Sequence, residues 1–401
     1  MRDKILIFIS SALRASAVSF SGVIIAIYLS KIGIGVFPIG LIISAGLLGA
    51  ALATLAVIYF SSKFSRKTSL VLLAFLMGLG GVAFAFSKSL FVLLLASFAG
   101  MMNGMGRDRG ASTTIEQAIL PQTASDLNRT KTFAWYNVSM DSGHALGSLL
   151  GILPVFFRLH LGMDGPASYR WSWLLYSLIC FLSGLLLFFL SEKIEPEKKT
   201  PLLKLSKKSS LVVKKISALS ALDSLGGGFL TTALISFWFF KRFGADERLL
   251  GLIFFFARVA NIFSHLAAAW LAKRIGLLNT MVFTHLPSSV FLMTIPFMPT
   301  LTIAIILFIL RESLVEMDVP TRQSYIVAVV EPGERIHAAG ITNLTRGVSW
   351  GVASFVAGSI SSISLALPLI AGPSLKILYD LLLYREFRQI RPPEELKGEH
   401  R

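Results

Sequence analysis

Charge is scarce in this chain, and acids are scarcer than bases. Only 15% of the 401 residues are Asp, Glu, Lys or Arg, 54% are hydrophobic, and mean hydropathy is +0.71. A water-soluble domain carries about a quarter charged residues, so this shortage excludes a soluble globular protein. Cysteine is nearly missing: Cys180 stands alone in an apolar block, which excludes an intrachain disulfide and any multi-cysteine zinc site. No phosphate-binding Gly-x-x-x-x-Gly-Lys-Ser/Thr loop, nucleophile triad or Gly-rich dinucleotide fingerprint occurs. Their lack argues against ATP-driven transport by this chain and against membrane-bound enzymology, and no cofactor is expected. The formal net charge of +16 invites a nucleic-acid reading, but the basic excess is spread over short loops, so no nucleic acid is expected as partner.

What the chain has in abundance is apolar runs of membrane length. About twelve recur, near 4–30, 37–61, 68–87, 90–118, 131–157, 172–191, 215–240, 249–272, 279–297, 299–328, 337–361 and 364–384. They predict an all-α integral membrane protein of twelve transmembrane helices in two pseudo-symmetric six-helix bundles. Residues 1–191 form the N-terminal bundle, 192–214 a polar cytoplasmic linker, 215–384 the C-terminal bundle and 385–401 a cytoplasmic tail. Lys63, Arg66 and Lys67, the lysines of the linker, and Lys273 with Arg274 mark inner loops. Both termini are therefore expected in the cytoplasm, in a multi-pass protein of the plasma (inner) membrane; Lys241, Arg242 and Arg248 run against that pattern. The N-terminus mimics a signal peptide, with Arg2, Lys4 and Ala15-Ser16-Ala17, but Arg14 interrupts its apolar run and predicts an uncleaved first span.

The two halves share a weak repeat. Gln117 and Gln323, Arg129 and Arg335, Asn137 and Asn343 are each 206 residues apart, and Asp141 falls opposite Gly347. Twelve spans divided six and six, with a basic loop after the second, resemble the major facilitator superfamily over nearly the whole chain. That family's loop signature, Gly-x-x-x-Asp-Arg-x-Gly-Arg-Arg/Lys, is matched in part: Lys63, Arg66 and Lys67 keep the basic character, while Ser62 replaces the aspartate and Ser65 a glycine. The second-half counterpart, Leu271-Ala272-Lys273-Arg274-Ile275-Gly276, again lacks the acid. Segments 116–122 and 317–325 are similar to those of drug-efflux-like or uncharacterised prokaryotic members.

Charges embedded in these spans are the candidate site. The apolar run from Thr300 to Leu310 rises roughly 16 Å as a helix, about half of a ~30 Å hydrocarbon core, so that span is expected to continue through Arg311, Glu312, Glu316, Asp318 and Arg322. Buried membrane charges are costly and mark substrate or ion pathways. The resemblance implies that the first, fourth, seventh and tenth spans line a central cavity. They carry the expected substrate or coupling-ion residues Arg14, Arg109, Glu116, Asp223, Glu312, Glu316, Asp318 and Arg322. Asp108, Ser112 and Glu116 fall at helical spacing on one face. The resemblance also implies that the fifth and eighth spans meet at the domain interface, where Asp141 and Arg258 are the expected gate; Arg346 is counted with these gate or interdomain residues and is expected to neutralise Asp318 or Glu316. Structural alternatives stay open: Arg107-Asp108-Arg109 also fits a closed salt-bridge cluster or a snorkelling helix end. Each histidine reads as a packing residue, and Glu312, Glu316 and His285 lack compact ligand spacing, so no metal is expected.

The expected function is secondary active transport by alternating access: proton-coupled export of a small ionic or amphiphilic solute by a monomer in the lipid bilayer, with sodium as the other coupling ion considered. Alternatives are a lipid or lysolipid transporter, or a non-transporting receptor or partner protein that retains the fold.

Overall fold

The computed structural model describes residues 2–60, 64–102, 104–120, 129–195, 206–318 and 335–388. Among them every regular element is helical, and nine stretches are long and apolar enough to cross a membrane. The order is α1 (Arg2–Lys31), α2 (Val36–Phe60), α3 (Arg66–Phe86), α4 (Leu90–Ala99), α5 (Ala111–Ile119), α6 (Arg129–Leu150), α7 (Leu153–His160) and α8 (Gly165–Phe188). Then come α9 (Lys207–Gly228), which begins inside the expected linker, α10 (Thr232–Phe243), α11 (Glu247–Ile275), α12 (Leu277–Thr294), α13 (Leu301–Val315), α14 (Arg335–Ser361) and α15 (Leu367–Phe387). α6 and α14 begin on Arg129 and Arg335, the repeat-related pair.

Local chemistry sets the ends. Ser65, Asp164, Thr231 and Thr300 cap α3, α8, α10 and α13 by accepting from backbone N–H groups in the first turn, and Gly244 closes α10 in the left-handed region at φ 68.

Two compact units emerge. The first comprises Met1–Lys199, Thr231–Phe255 and Ser354–Ile363; the second comprises Thr200–Leu230, Phe256–Ala353 and Ser364–Arg401. Stretches 231–255 and 354–363 lie beyond the linker in sequence yet pack in the first unit.

Within the first unit α1 is the central post, buried along most of its length. Small residues let neighbours approach it: a Cβ on Gly143 would lie 2.3 Å from the Ala12 carbonyl oxygen, and one on Gly147 would lie 2.1 Å from that of Ser16. Gly143 and Gly147 thus form a G-x-x-x-G face, where close backbone packing takes the place of the hydrophobic drive that lipid removes. Ser10 and Ser19 of α1 hydrogen-bond to Ser183 of α8 and Ser148 of α6, each at 2.8 Å. In the second unit Ile216, Met281, Val282, Tyr379, Leu383 and Phe387 form an apolar core between α9, α12 and α15.

Four blocks differ from the sequence expectation. The fifth, expected as one helix over 131–157, divides into α6 and α7 between Leu150 and Leu153. The fourth block, expected as one helix over 90–118, is broken between α4 and α5, with Met101 and Gly106 at φ 51 and 67. Gly106 supplies the backbone freedom for the second of these turns. The seventh block breaks between α9 and α10, and the two breaks satisfy each other: Ala233 N donates to Gly104 O at 3.0 Å and Thr232 Oγ1 to Met105 O at 2.8 Å. Irregular backbone at membrane depth is stable only when buried and hydrogen-bonded in this way. In the tenth block α13 stops at Val315, with Glu316 as its C-cap.

Candidate functional site

The break before α5 turns Asp108 inward. It is not part of the helical face expected with Ser112 and Glu116, since α5 starts only at Ala111. Asp108 and Glu116 nevertheless meet, because both bind Arg14. Arg14 Nε donates to Asp108 Oδ2 at 2.5 Å, while its two terminal nitrogens donate to the two Glu116 oxygens at 2.7 Å each. The second pair is the bidentate fork that a planar guanidinium favours. From α6, Tyr136 adds a hydroxyl donating to Glu116 Oε2 at 2.7 Å. Arg14 is 1% exposed and Glu116 0%.

His144, also on α6, completes the arrangement. The Asp108 backbone N–H donates to its Nε2 at 2.9 Å, so that nitrogen holds a lone pair and the neutral ring carries its proton on Nδ1. Nδ1 lies 3.7 Å from Asp141 Oδ1. The directly bonded set therefore holds one cation and two carboxylates.

A second cluster lies in the second unit. Asp223 on α9 accepts from Arg346 NH1 on α14 at 2.9 Å and from Lys376 Nζ on α15 at 2.7 Å. His285 on α12 stands behind them against Asp380. Arg346 pairs with Asp223, which enters from α9 with both oxygens engaged by cations.

Glu312 is buried, pairs with Arg311 and accepts from Asn261 Nδ2 at 2.9 Å, so it joins α13 to α11. Asp318 is buried, Glu316 half-buried and Arg109 exposed; Arg258 is buried on α11. Arg322 lies outside the described residues. Among the described residues no group of three or more His, Cys, Asp or Glu is arranged to hold a metal ion.

Sequence reasoning missed several partners. Lys376 and Asp380 sit one turn apart in an apolar block, an i, i+4 pair of opposite charges that was itself the signal. A third buried centre, Glu247 at the start of α11, accepts from Lys31 Nζ at 3.0 Å, from Arg158 NH2 at 2.9 Å and from the Tyr169 hydroxyl, all within the first unit.

Comparison with known proteins agrees with this helical architecture. A curated relative, an uncharacterized membrane protein of Saccharomyces cerevisiae, is 24% identical and covers 95% of this chain and 93% of its own. Among solved structures, a bacterial homolog of the human lysosomal transporter Spinster superposes with a TM-score of 0.77 at 12% identity, covering 97% of each chain. A D-xylose-proton symporter superposes at 0.74 with 13% identity, over 95% of this chain and 96% of its own. The family model of the Major Facilitator Superfamily matches residues 7–380. The chain belongs to the Major Facilitator Superfamily, and with it to the twelve-helix, two-bundle, multi-pass secondary membrane transporters, which are not enzymes.

Proposed function

We propose that the chain is a proton-coupled exporter of a small ionic or amphiphilic solute, working by alternating access of two bundles, residues 1–191 and 215–384. The observation that carries this reading is Arg14 shared by Asp108 and Glu116. With both acids ionised and His144 neutral, the directly bonded set is one positive charge short. A net charge in a buried site is costly, and one proton on a carboxylate balances it. A cationic group on the solute supplies the same charge, so proton and solute compete for one place. Competition of that kind favours exchange, hence antiport. The test is uptake into proteoliposomes holding the purified protein, with a panel of labelled organic cations, anions and zwitterions. A proton gradient should drive accumulation of at least one of them; accumulation driven by a sodium gradient alone, or by neither, contradicts the reading.

The remaining residues act within the same mechanism. Arg109, Glu312, Glu316, Asp318 and Arg322 are proposed to face solute or coupling ion, and Asp141 with Arg258 to pair in one state of the cycle. Additive effects of neutralising Asp141 and Arg258 on conformer populations would remove the gate. The protein is proposed to act as a monomer in the plasma membrane with both termini inside, following the basic loops. With Cys180 replaced by Ser, Ser206→Cys should react with an impermeant maleimide in inside-out vesicles only. Labelling in intact cells reverses the orientation.

A further inference from the structure

His285 takes no part in the Arg14 cluster, yet it is 1% exposed and enclosed by charge. Its Nδ1 lies 2.9 Å from both Asp380 oxygens, and its Nε2 lies 3.4 Å from Lys376 Nζ and 4.0 Å from Asp223 Oδ1. An ammonium offers only donors, so the ring nitrogen facing it must present its lone pair. The ring is then neutral, with its proton on Nδ1 pointing at Asp380. Lys376 meanwhile donates to Asp223 Oδ1 at 2.7 Å, the same oxygen that His285 Nε2 approaches.

We propose that His285 is a second proton-binding site, and that a proton on its Nε2 takes Asp223 Oδ1 from Lys376 and releases the Lys376 ammonium. The inference is independent of the Arg14 cluster and stands without it. The proton comes from water and adds to the Nε2 lone pair. This removes the acceptor that Lys376 faces and sets two like charges about as close as a hydrogen-bonded pair. A displacement of about 1 Å brings Nε2–H within hydrogen-bond range of Asp223 Oδ1. Lys376 leaves on its flexible four-carbon stem. Arg346 keeps Asp223 Oδ2, so the carboxylate is never without a cation. The freed ammonium is a point charge suited to an anionic group, a carboxylate or a phosphate.

Opposing neighbours make the ring a switch. Asp380 is 0% exposed and lies against His285 Nδ1, an anion beside one ring nitrogen, while the Lys376 ammonium faces the other. Around them stand Asp223 on α9 with Arg346 on α14, and Tyr379 of α15, whose ring meets the imidazole edge-on at 6.1 Å. On α13, which also packs against α12, Arg311 and Glu312 engage each other.

Solid-state NMR of the full-length protein, labelled with 15N-histidine and held in lipid bilayers, reads ring tautomer and charge directly. Subtracting the spectrum of His285→Gln assigns the signal; if that variant fails to fold, a protein with the other five histidines replaced isolates it instead. At the alkaline end of the titration the ring should carry its proton on Nδ1 alone, and at the acid end it should be doubly protonated. Lys376→Met should move that change to a proton concentration roughly tenfold lower, and Asp380→Asn should suppress it. A proton on Nε2 at the higher pH, one charge state across the range, or a change unmoved by Lys376→Met would each overturn the proposal.

Discussion

Glu116→Gln should abolish gradient-driven accumulation of any solute that the vesicle panel identifies, while counterflow of that solute survives. Glutamine keeps the size of the side chain and a carbonyl oxygen for Arg14, and it removes the titration. The cluster then holds one cation and one carboxylate, balanced without a proton, so a proton gradient has nothing to act on. Arg14→Gln tests the other side of the same account. It strands Asp108 and Glu116, 8% and 0% exposed, and breaking a buried ion pair costs about 3–5 kcal/mol. The melting temperature of the detergent-purified protein should fall sharply. Adding Asp108→Asn and Glu116→Gln to Arg14→Gln should recover much of that fall without recovering coupling. Accumulation by Glu116→Gln with an unchanged pH profile would remove the carboxylate from the coupling role.

Asp223→Asn is expected to be the most destabilising change in the second unit. One carboxylate there holds two cations, Arg346 and Lys376, each 7% exposed. Losing its charge takes the paired carboxylate from Lys376 in low dielectric and one acceptor from Arg346, again at about 3–5 kcal/mol. Asp223→Asn combined with Lys376→Met should be less destabilised than Asp223→Asn alone, since one stranded cation is gone. Thermal unfolding of the single and double variants reads this coupling, and additive losses would show that the ion pair is not the source.

The membrane architecture was legible because it rests on length and composition. Each of the twelve apolar blocks holds helix, since a run of about twenty apolar residues has no other stable form in lipid. Arg14, Glu116 and Asp223 were also legible, as charges inside such runs. Their partners were harder to read. Arg14 and Glu116 are 102 residues apart and Asp223 and Lys376 are 153, so nothing local links them. The breaks at 100–110 and between α9 and α10 were hidden for a related reason. Glycines in a membrane helix signal close packing as often as a break, and here the deciding factor is that the two breaks bond each other. His285 looked like a packing histidine because its neighbours Asp380 and Lys376 lie on α15, over 90 residues away.

The central claim is that the Arg14 cluster binds a proton, and infrared difference spectroscopy tests it without a known solute. Membranes containing the purified protein are compared at high and low pH, and the C=O stretch of a protonated carboxylic acid is followed. The account predicts a band that grows as pH falls in the wild type and is missing in the Asp108→Asn/Glu116→Gln double variant. The same band in both proteins would contradict it.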